Sequence, residues 1–76
     1  MITIDNIKKS STQEELNEMV EMALFERWCE ASHDMTYAEQ ADFFIEESAK
    51  ISNPTTSLLE VASILLAAEG RWAELA

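Results

Sequence analysis

The chain has one glycine, one proline and one cysteine in 76 residues, and five lysines and arginines against fifteen acids. Each scarcity removes a class of object. So little glycine and proline works against a turn-rich β fold, whereas helices tolerate the shortage. Gly70 is the single glycine, so no glycine-rich phosphate loop can be built. Cys29 has no second cysteine to pair with in the chain, which suits a reducing cytoplasm. The shortage of bases leaves a formal net charge of −10. Nucleic acid and anionic membrane would both repel it as direct partners. No apolar run approaches the ~18 residues of a membrane span. The longest, VASILLAA at 61–68, is core-sized. MITIDNIKKSS holds no apolar run long enough for a signal peptide. The expected place of action is the cytoplasm, that of the host if the protein is viral.

What is present points to helices. Hydrophobic residues make up 47% of the chain, too many for a disordered segment. Its length suits one domain, 1–76, that buries about 60% of the surface an unfolded chain exposes. Four capping boxes punctuate it: Ser11 with Glu14, Thr12 with Glu15, Thr36 with Glu39, and Ser57 with Glu60. They predict helices over about 12–31, 37–51 and 56–69 or beyond. Ser52-Asn53-Pro54 stops the second, and Gly70 offers a C′ residue to the third. Residues 2–10 read as an extended arm or a single helical turn capped by Asp5. The expected fold is all-α, a small three-helix bundle with a short N-terminal arm.

Steps of about 100° per residue assign the faces. On the first helix Leu16, Met19, Val20, Ala23, Leu24 and Trp28 form a core-facing arc, with Met22, Phe25 and Cys29 nearly opposite. On the second, Tyr37, Ala41, Phe44, Ile45, Ser48 and Ile51 face inward and Phe43 points away. The third is apolar nearly all round, with Leu58, Val61, Ile64, Leu65 and Trp72 on one side and Leu59, Ala62 and Leu66 on another. It is expected to be central, or to be covered by a second copy. Both tryptophans are expected to be largely buried.

The charge is concentrated. Residues 11–47 hold eleven acids (Glu14, Glu15, Glu18, Glu21, Glu26, Glu30, Asp34, Glu39, Asp42, Glu46, Glu47) and one base, Arg27. Such a face either keeps the protein soluble or recognises a basic partner. Glu14, Glu18 and Glu21 share one strip, roughly 5–6 Å apart at a rise of about 1.5 Å per residue. That spacing is comparable with phosphates along a nucleic-acid strand, so the strip could occupy a Lys/Arg groove. The apolar Met22, Phe25, Cys29 stripe and Phe43 either pack inside the molecule or form an adaptable binding patch.

Chemistry has little to work with. Cys29 and His33, four apart, supply two metal ligands where a structural zinc site takes four. Cys29 suits a small buried hydrophobe and His33 a helix-end residue. Adjacent exposed acids such as Glu14-Glu15 and Glu46-Glu47 lack the burial that separates pKa values. No catalytic residue, metal or cofactor is expected.

The expected function is non-enzymatic. The chain would bind a protein with a basic surface and inhibit or modulate it, by covering a nucleic-acid-binding site. Partner contacts would come from Glu14, Glu18, Glu21, Met22, Phe25, Cys29, Glu39, Phe43, Glu46 and Glu47. In size and charge it resembles the small acidic inhibitors that phages make against host defence or transcription proteins; no motif carries that likeness. The alternatives are a homo-oligomeric assembly protein, at its smallest a homodimer, and an antitoxin-like or chaperone-like binder of one cognate protein.

Overall fold

Four helices follow one another in the computed structural model: α1 Ile4–Lys8, α2 Gln13–Glu26, α3 Tyr37–Lys50 and α4 Thr56–Leu75. The structure describes residues 1–51 and 56–76, with the side chains of Thr56 and Ser57 outside that description. No strand occurs among the described residues. The all-α bundle is as expected, but with four helices. The N-terminal arm is itself a helical turn, capped by the hydroxyl of Thr3 rather than by Asp5. Among the described residues no helix is long and apolar enough to cross a membrane.

Two of the expected caps form. The Thr12 hydroxyl accepts from Glu15 N at 3.0 Å. Thr36 accepts from Glu39 N at 3.1 Å, while the Glu39 carboxylate accepts from Thr36 N at 2.9 Å. The Thr36 amide, and after it the Thr36 hydroxyl, hold the Glu39 carboxyl below its usual pKa. Ser11 caps nothing, because Thr12 holds the N-cap position of α2. The Ser57 cap and the Pro54 stop lie outside the described side chains.

The core is built around α4. Helices α1, α2 and α3 each pack on it, and α2 does not pack on α3. Leu16, Val20, Ala23 and Leu24 from α2, Ala41 and Phe44 from α3, and Val61, Ile64, Leu65 and Ala68 from α4 form one buried cluster with Ile7. Because α3 has only α4 to lean on, its buried stripe is narrow. Ile45 and Ile51, expected inside, are exposed. Gln40 is buried instead, accepting from Ser32 N at 2.9 Å and donating to Met35 O at 3.1 Å. It thereby staples the α2–α3 connection onto α3.

Two arginines fasten the N-terminal segment. Arg27 Nη2 donates to Ile2 O at 2.8 Å and to Glu60 Oε1 at 2.9 Å, while Ile2 N donates to Glu26 Oε1 at 2.7 Å. At the other end of α1, Arg71 Nε and Nη2 both donate to Ser10 O, at 2.9 and 2.6 Å. Each arginine also pairs with an acid of α4, Arg27 with Glu60 and Arg71 with the exposed Glu74 at 3.1 Å.

Helix α4 runs straight through Gly70, beyond the C′ stop read from the sequence. A Cβ there would meet nothing within 4 Å. Glycine in a helix interior costs about 1 kcal/mol relative to alanine. Gly70→Ala is therefore expected to raise stability by about 0.5–1 kcal/mol, several degrees in melting temperature. Thermal unfolding of the variant as a monomer checks this, and a lower melting temperature contradicts an open helical Gly70.

Candidate functional site

Helix α2 stops at Glu26, five residues before the expected end. A helix must dispose of its last four carbonyls, and here three have evident partners. Ala23 O accepts from Arg27 Nη1 at 2.9 Å, Leu24 O from Cys29 N at 2.8 Å, and Phe25 O from Trp28 N at 3.1 Å. The last two bonds are the paired 6→1 and 5→2 closures of a Schellman motif, with Cys29 packing against the core as its apolar contact. The C′ position of that motif needs a left-handed backbone and usually holds glycine. Here it holds Trp28, at φ 61°.

The consequence overturns an expectation. Trp28, placed in the core arc by extending the helix to 31, is 98% exposed. Phe25, one turn back, is 80% exposed, and Met22 is more than half exposed. Glu14, Glu18, Glu21 and Phe25 follow one another at spacings of four, three and four, forming the solvent-facing crest of α2, and all are exposed. Trp28 is the exposed residue just past the end of that helix. Glu14 and Glu18 have no ion-pair partner among the described residues, and the Glu21 carboxylate faces only the exposed His33, at 3.4 Å. His33 lies in the connecting loop rather than at a helix end.

Of the other candidates, Cys29 is half-buried rather than part of the exposed stripe. Burial pushes its thiol pKa up, and the charge of Arg27 opposes this only in part. Its side chain packs against the core, as a small hydrophobe does. Glu39, Phe43, Glu46 and Glu47 lie on α3, and no packing of α3 on α2 brings them to the crest. Glu39 is committed to its cap, and Glu47 pairs with Lys50 at 3.3 Å. Phe43 is half exposed and stands edge-on to the buried Phe44, centroids 5.4 Å apart.

Because α2 and α3 each lean on α4, a cleft of about 380 Å³ opens between them. The edge-to-face pair of Tyr37 and Trp72, centroids 5.9 Å apart, lines it together with Glu21 and Glu69. The Tyr37 hydroxyl bonds the Asn17 side chain across the cleft. A shallower hollow adjoins it, sharing Glu21, Ala31 and His33 and reaching Phe25. The crest and cleft are thus one continuous surface. The sequence reading placed Trp72 with the core and did not single out Tyr37 or Glu69 as site residues. Three separate helices supply this lining, so no local pattern could reveal it.

Among the described residues no group of three or more His, Cys, Asp or Glu could hold a metal ion. Compared with protein-family models, curated proteins and solved structures, the chain gives no match.

Proposed function

We propose that this protein is a non-catalytic binder that inhibits or modulates a protein with a basic surface, acting through the α2 crest and its terminal aromatics. One observation carries the reading. Trp28 is an almost fully exposed indole on a left-handed backbone, just past the end of the helix that carries the exposed Glu14, Glu18, Glu21 and Phe25. Exposed aromatics beside unpaired acids suit a partner that is steered by charge and held by burial. A basic groove that otherwise holds nucleic acid fits the carboxylate spacing best.

The test is affinity capture from cells of the source, run in parallel with wild type and with the triple reversal Glu14→Lys, Glu18→Lys, Glu21→Lys. A partner retained by wild type, weakened by the reversal and competed off by nucleic acid supports the reading. Equal capture by both proteins reduces the crest to a solvated face. A ternary complex with nucleic acid removes the mimicry and leaves a protein–protein modulator.

Salt supplies a check on the free protein. Few crest acids are paired internally, so screening their repulsion over about 8–10 Å should stabilise the fold. Moderate salt is expected to raise the melting temperature. A fall would mean that internal ion pairs dominate.

Self-association is favoured by a different observation. Leu59, Ser63, Leu66, Gly70 and Ala73 are exposed at spacings of four and three along α4, an uncharged stripe in a highly charged chain. Mass in solution across a concentration series separates this from the first reading, which expects a monomer.

A further inference from the structure

We infer that the cleft between α2 and α3 is a receptor for a single arginine side chain of the partner, its guanidinium held by Glu21 and Glu69 against the Tyr37–Trp72 pair. This deepens the proposed function and rests on it for the source of the arginine. The volume, about 380 Å³, lies at the low end of the range for small-ligand sites, room for one long side chain and not for a folded surface.

The lining selects the chemistry. Tyr37 and Trp72 bring aromatic surface, to which a planar cation is attracted. Glu21 and Glu69 bring carboxylates that no lysine or arginine of the described residues pairs with, and a guanidinium presents donors in a fork that carboxylates match. Their negative field reaches the cleft wall: after burial, it is Glu21 and then Glu69 that push the Tyr37 phenol above its ordinary pKa. Tyr37 is held by Asn17 and Trp72, so the wall is formed before any ligand arrives. Among the described residues the ring that faces Glu21 at the mouth is His33, an exposed loop side chain with Nε2 3.4 Å from the carboxylate. An entering guanidinium need only displace that one contact. A neutral apolar side chain would leave both carboxylates beside it without a counter-charge.

The probe is N-acetyl-arginine amide, with its neutral citrulline isostere as control and a hexalysine peptide as a separate probe of the crest. Proton–nitrogen and aromatic NMR spectra of the full chain follow the Trp72 indole, the Tyr37 ring and the Trp28 indole during titration. Saturable, millimolar binding of the arginine amide is expected to move Tyr37 and Trp72, with the citrulline compound silent. Glu21→Gln and Glu69→Gln are each expected to weaken it roughly three- to tenfold, and Asp42→Asn, exposed on α3 and outside the cleft, to leave it unchanged. Equal response to citrulline, or equal weakening by Asp42→Asn, overturns the arginine site. So does an arginine amide that moves nothing while hexalysine shifts Trp28, and in that outcome the basic-partner reading survives. Silence of both probes removes support from both.

Discussion

Replacing Arg27 by alanine is expected to lower the unfolding free energy by about 2–4 kcal/mol. Arg27 is 8% exposed and its guanidinium joins three separate parts of the chain. It closes the α2 terminus at Ala23 O, holds the backbone of Ile2, and pairs with Glu60 of α4. Removing it leaves the two carbonyls without this donor and Glu60 without its cation, and empties a buried position. Removing one partner of a fully buried pair costs about 3–5 kcal/mol. The Glu60 side chain is 48% exposed and can be rehydrated, so the lower figure applies. Arg27→Met keeps most of the stem packing and also removes Nε, which is buried without a partner. It should therefore cost less than alanine, and Glu60→Gln less again. Urea unfolding monitored by circular dichroism orders the three. For so small a domain the alanine variant should be substantially unfolded at 37 °C. An Arg27→Ala protein within about 1 kcal/mol of wild type would mean that Arg27 does not clasp the N-terminal segment in solution.

The same residue explains where the sequence was legible and where it was not. Helix starts were readable at Thr12 and Thr36, because a hydroxyl and the amide three residues on are neighbours along the chain. The end of α2 was not. Its stop depends on Arg27 finding Ile2 and Glu60, 25 and 33 residues away. Its C′ position also lacks the glycine that usually announces such a turn. Extending the 100° steps past the true end turned Trp28 into a core residue. The periodic pattern counted Ile45 and Ile51 as inward, but burial on α3 is set by how much α4 alone can cover, and Ile51 lies past the helix end in extended backbone. Gln40 shows the converse, a polar residue buried because its amide matches two backbone groups of a loop. The Glu14, Glu18, Glu21 strip was legible, since a helix face is a local property, but Phe25 was read into a separate stripe with Cys29, which is half-buried. The cleft beside the strip was not legible, since three helices must first be assembled.

Trp28→Gly should separate stability from binding in opposite directions. A side chain that is 98% exposed gains almost nothing from burial. The left-handed backbone at φ 61° costs an L-residue roughly 1 kcal/mol or more, and glycine almost nothing. Folding alone would therefore favour glycine at this Schellman position. The variant is expected to unfold at a higher temperature, with a gain of up to about 1 kcal/mol. If Trp28 is an anchor for the partner, the same change should weaken binding by about 2 kcal/mol or more, some thirtyfold, mainly through faster dissociation. Trp28→Ala is the control. It removes the indole but keeps a Cβ in the left-handed region, so it should lose binding without the gain in stability. Phe25→Ala, one turn earlier on the crest and also exposed, should weaken the complex in the same sense with little change in folding. Calorimetric melting of the free variants and surface-based kinetics with the captured partner supply the two readouts. A Trp28→Gly protein that melts lower would show that the indole packs on the fold. One that melts higher and still binds with wild-type kinetics would leave the strained, exposed tryptophan without a role in recognition and shift the interface elsewhere, to the uncharged stripe of α4.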